Sequence, residues 1–72
     1  SEQVVNSGEL LPSMVLSRDL FSARGMVLLK KHHVVDEDII SKMQHLEQLM
    51  DEPLEIYVFS DDAAPNVMGD ES

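Results

Sequence analysis

Residues 36–53 read Asp36-Glu37-Asp38-Ile39-Ile40-Ser41-Lys42-Met43-Gln44-His45-Leu46-Glu47-Gln48-Leu49-Met50-Asp51-Glu52-Pro53, a segment with a clear start, period and stop. Ile39, Ile40, Met43, Leu46, Leu49 and Met50 recur at three- and four-residue spacing, which predicts an amphipathic helix with one apolar stripe. Lys42, Gln44, His45, Glu47 and Gln48 fall largely between them. Asp36 stands where an N-cap is needed, and Glu37 and Asp38 put negative charge at the positive end of the helix dipole. Pro53 disfavours helical geometry in the residue before it and stops the helix. Beyond it, Leu54-Glu55-Ile56-Tyr57-Val58-Phe59 alternates as a strand, with Leu54, Ile56 and Val58 on one face.

On the N-terminal side, Val34 and Val35 form a short apolar link to a candidate hairpin. Its first strand is Met14-Val15-Leu16-Ser17-Arg18-Asp19-Leu20-Phe21, with Met14, Leu16 and Leu20 on one face and Val15 and Phe21 on the other. Ser22-Ala23-Arg24-Gly25 makes the turn, Gly25 supplying the positive φ that tight reversals use. Met26-Val27-Leu28-Leu29 is the return strand. It is apolar on both faces, so it needs cover on two sides or curls into a small barrel-like layer. The order defines an α+β fold: a small β-hairpin, one amphipathic helix and a final strand in a single domain. Residues 1–8 read as a linker, 9–60 as the module, and 61–72 as an acidic disordered tail. That tail holds Asp61, Asp62, Asp70 and Glu71 with no base.

With 72 residues and 8.1 kDa the chain has room for one thin core. It contains no cysteine, so disulfides and thiolate zinc sites are excluded. Five Lys and Arg stand against fourteen Asp and Glu, a formal net charge of −9. Such a balance argues against nucleic-acid backbones and anionic membrane surfaces as partners, because both attract clustered positive charge. No apolar run approaches the ~18 residues of a membrane span. A cytoplasmic setting fits the lack of cysteine and of a basic, apolar leader.

The chemistry-bearing residues give little support to catalysis. No GxSxG elbow, HExxH pair or glycine-rich phosphate loop occurs, and no carboxylate pair is set against an apolar pocket. His32 and His33 lie near Asp36 and Asp38, but adjacent histidines on an extended segment point to opposite faces. They read as turn histidines rather than metal ligands, and no cofactor is implied. All bases except Lys42 fall between residues 18 and 31. Arg18, Arg24, Lys30 and Lys31 therefore give the hairpin a positive face that suits an acidic partner or an anion such as a nucleotide phosphate. Charged edge residues that discourage strand-to-strand aggregation are the plainer reading of the same pattern. Surplus apolar surface on the hairpin and helix nominates Val27, Leu29, Met43, Leu46 and Met50 as interface residues, while plain core is the commoner reading of such a Met and Leu helix stripe.

Leu10-Leu11-Pro12-Ser13-Met14-Val15-Leu16-Ser17-Arg18-Asp19-Leu20, Gly25 with Val27-Leu28-Leu29, Val34-Val35 and the Asp36 helix together resemble a small known module. It is the accessory segment attached to bacterial two-component response regulators and HD-type cyclic-dinucleotide phosphodiesterases, often at the C-terminal end. The resemblance covers about residues 9–58. It departs at two turns, Ser13 and His32 standing where that family usually has glycine. No His-Asp dipeptide and no Gly-Tyr-Pro occurs, so no catalytic residue carries over. The resemblance implies a non-catalytic C-terminal accessory domain, packing on or dimerising the receiver or output domain. Its partners are then other domains of the parent protein or a second copy. The alternative is a small sensing module binding an anionic nucleotide through Arg18, Arg24, Lys30 and Lys31.

Overall fold

The computed structural model of the chain describes residues 1–60. In order they form strand β1 (Glu2–Val5), a 3-10 turn (Ser7–Glu9), β2 (Leu20–Phe21), β3 (Val27–Leu29), helix α1 (Glu37–Met50) and β4 (Ile56–Phe59). The fold is α+β, with β1 antiparallel to β4 and β2 antiparallel to β3. Two further bridges, Leu16↔Val58 and Val15↔Val34, tie these pieces together. Residues 15–17 bond to β4 through Ser17 N–H to Tyr57 O and Phe59 N–H to Val15 O, both 2.9 Å. Their opposite edge bonds to the link before the helix, where His32 N–H donates to Leu16 O at 2.8 Å. Among the described residues the strands do not close into a barrel.

The core lies between this strand layer and α1. Val5, Leu10, Leu16, Leu20, Leu29, Val35, Met43, Leu54, Ile56 and Val58 are buried in it. Leu54, Ile56 and Val58 share the inner face, as the alternation predicts. The helix starts as expected, Asp36 accepting from the Ile39 N–H at 2.9 Å. It ends on Asp51 in the left-handed region, φ 52°. The apolar stripe is narrower than its period suggests: Met43 is buried, Ile39, Ile40 and Leu46 pack at the margin, and Leu49 is 81% exposed.

Two local readings differ from the structure. Residues 2–5, expected within a linker over 1–8, are strand β1, aligned with β4 by the pairs Glu2↔Phe59 and Val5↔Ile56. The 3-10 turn that follows is held by a reciprocal cap. Asn6 Oδ1 accepts from Glu9 N–H at 3.1 Å, and Glu9 Oε1 accepts from Asn6 N–H at 2.9 Å. The continuous strand expected over 14–21 instead bends after Leu16, leaving two bridges and the short β2. The acidic tail over 61–72 lies outside the described residues.

Ser13 and His32 hold positive φ, 78° and 76°. Neither is glycine, the residue that this backbone conformation favours. Both backbones bond tightly, Ser13 N–H to Val35 O at 2.9 Å and His32 N–H to Leu16 O at 2.8 Å. The strand-to-link pairing therefore over-determines a conformation that costs a side-chain-bearing residue roughly 1 kcal/mol.

Candidate interaction surface

The β2–β3 hairpin forms around one glycine. Gly25 sits at φ 88°, its N–H donating to Ser22 O at 2.9 Å, while Ser22 N–H donates to Met26 O at 2.8 Å. A Cβ on Gly25 would meet nothing within 4 Å, so the requirement is conformational rather than steric. At the base, Asp19 Oδ1 accepts from the Lys31 N–H at 2.7 Å and closes the arm. Leu20 and Leu29 point into the core. The cross-strand pair Phe21↔Val27 points outward. Phe21 is 51%, Met26 67% and Val27 44% exposed. Arg24, Lys30 and Lys31 accompany them, with no acid anywhere in residues 20–31.

Beside the hairpin runs a groove of about 880 Å³. Phe21, Ser22, Ala23 and Lys31 line it from the hairpin, and Met50, Glu52, Leu54 and Glu55 from the end of α1 and the segment leading into β4. Arg18, Asp19 and Tyr57 also line it. Arg18 is already engaged there. Its Nη2 is 2.6 Å from Glu2 Oε2, its Nε bonds the same oxygen at 3.0 Å, and its guanidinium lies 4.0 Å from the Tyr57 ring centroid. Ser17 Oγ donates to Glu2 Oε1 at 2.7 Å. The bonds from Arg18 and then Ser17 hold the Glu2 carboxyl below the usual range, and the Glu2 bond raises Arg18 further.

The structure divides the four hairpin-region cations. Arg18 and Lys31 line the groove, Arg24 and Lys30 do not, and the groove also contains Asp19, Glu52 and Glu55. The nominated interface residues divide as well. Leu29 and Met43 are buried core, so neither is open to a partner; Val27 is exposed, and Leu46 and Met50 are half-buried. Phe21 and Met26 belong to the exposed set although neither was nominated. For Phe21 the signal was legible, because it alternates away from Leu20 and the core face.

Glu47 is another residue whose role was not visible in the sequence. One carboxylate oxygen accepts from the Ser7 hydroxyl and the other from the Leu54 N–H at 2.8 Å, joining α1 to the 3-10 turn and to the segment leading into β4. Those bonds, Leu54 first, hold its carboxyl below the usual range. His32 stacks on Phe59 with ring centroids 5.9 Å apart and an interplanar angle of 8°. Among the described residues no three metal-capable side chains converge, and no helix is long and apolar enough to cross a membrane. No protein-family model matches the chain, and neither a curated protein nor a solved structure matches it significantly.

Proposed function

We propose that the chain is a non-catalytic interaction module of bacterial two-component signalling, working in the cytoplasm as the C-terminal accessory domain of a response regulator. The observation that carries this reading is the hairpin. It exposes Phe21, Met26 and Val27 together, beside three cations and no acid. In a chain with so thin a core, leaving three large apolar side chains in water sacrifices burial worth roughly 1–2 kcal/mol apiece, a sacrifice that a partner repairs. The positive φ at Ser13 and His32 supports the family resemblance, since glycine is the residue such positions favour. The nucleotide alternative receives less support. Two of its four cations lie outside the groove, Arg18 is paired with Glu2, and three carboxylates line the same space.

Titrating the isotope-labelled chain with the receiver and output domains encoded beside it tests the proposal. Amide shifts confined to residues 20–31 and to the groove are the expected result. Absence of shifts with every such domain, whether phosphorylated or not, would overturn it.

A further inference from the structure

We infer that the partner of the hairpin is a second copy of this chain, each hairpin tip seating in the other copy's groove; this rests on the interaction-module reading. Charge complementarity selects the occupant. The described residues 1–60 carry −5 and residues 20–31 carry +3, so the rest of the described body carries −8. The body of a second copy is thus the kind of surface the arm is suited to meet. Arg24, Lys30 and Lys31 have no ion-pair partner among the described residues, where the one ion pair is Arg18–Glu2.

The groove's far side has the complementary need. Helix α1 has no base in its last turn, and Asp51 and Glu52 add negative charge to its negative dipole end. Glu52 and Glu55 face the groove beside Met50, Leu54 and the hairpin's own Phe21. The tip Arg24-Gly25-Met26 offers one cation and one long apolar side chain, which matches that lining. The groove reaches the hairpin turn, where Ser22 and Ala23 line it, so tip and groove adjoin. A two-fold axis then places each tip in its partner's groove, a closed and self-complementary arrangement.

Sedimentation equilibrium of the 72-residue chain from roughly 10 μM to 1 mM tests this directly. A concentration-dependent dimer that weakens as salt is raised is expected. Arg24→Glu alone and Glu52→Arg alone should each weaken it roughly tenfold or more, and the double reversal should restore it. Both positions are exposed, and an unchanged amide spectrum confirms the fold of each variant. A chain that stays monomeric throughout, or a dimer indifferent to both reversals, overturns the inference. The receiver titration separates the two claims. Shifts over residues 20–31 in a strictly monomeric chain leave the module reading standing and end this one, whereas no association with either partner ends both.

Discussion

Strand β4 and the β2–β3 hairpin draw on similar apolar residues but differ in how their edges are used. β4 is bonded along both edges, by β1 on one side and by residues 15–17 on the other. Ile56 and Val58 have no exposed surface. The hairpin strands pair with each other alone among the described residues, over two and three residues with a register shift between Leu20 and Phe21. It gives the core one side chain from each strand. Met26-Val27-Leu28-Leu29 is the more apolar run, yet Ile56-Tyr57-Val58 is the more buried. Burial here follows from backbone pairing on two sides, and apolarity left on a single-edged arm becomes surface available to a partner.

The largest effect should come from breaking β4. Ile56→Ala removes a wholly buried side chain and should cost about 2–5 kcal/mol in urea unfolding, much of what a domain this small possesses. Val27→Ala should cost less than about 1 kcal/mol. Equal costs would mean that the hairpin belongs to the frame. Next comes Glu47→Ala, expected to destabilise by about 2 kcal/mol because the buried Ser7 hydroxyl and the Leu54 N–H lose a charged acceptor. Folding lowers the Glu47 pKa, so its contribution is whole above the ordinary carboxylate range and is lost as pH falls through the folded-state value. Glu47→Gln should therefore flatten the acid limb of the stability curve below the ordinary carboxylate range. An unchanged limb would assign acid sensitivity to other groups, Glu2 first.

Smaller still is Ser13→Gly, which relieves the left-handed strain and should raise the urea midpoint by the equivalent of about 0.5 kcal/mol, after the glycine's extra unfolded-state entropy. His32→Gly relieves the same strain but loses the stack on Phe59, so its gain should be smaller or absent. A clear loss for Ser13→Gly would show that the serine side chain, rather than the turn, is what the position requires.

The helix, its Asp36 cap, the Gly25 turn and the inner face of β4 were legible because period, cap chemistry and turn chemistry are local. β1 was not: only Val5 of its four residues enters the core, and an edge strand so short carries no alternation to detect. The Asn6…Glu9 cap did carry a local signal, an Asn followed three residues later by Glu. At the bend after Leu16 the Ser17 hydroxyl and Arg18 both donate to Glu2, fifteen residues before Ser17. Spacing along the chain does not report such a partner. Leu29 and Met43, candidates for an interface, are buried, because periodicity shows which residues share a face, not which face is covered. The same limit grouped Arg18 with Arg24 and Lys30, although an ion pair with Glu2 ties it to the β1–β4 sheet.

Hydrogen exchange measured over a range of chain concentrations tests most directly the claim that the hairpin is a docking arm on a separate frame. Amides of β4 should exchange slowly and at the same rate at every concentration, while protection over residues 20–31 should start low and rise as the chain is concentrated. Protection over residues 20–31 that equals that of β4 and ignores concentration would contradict the account.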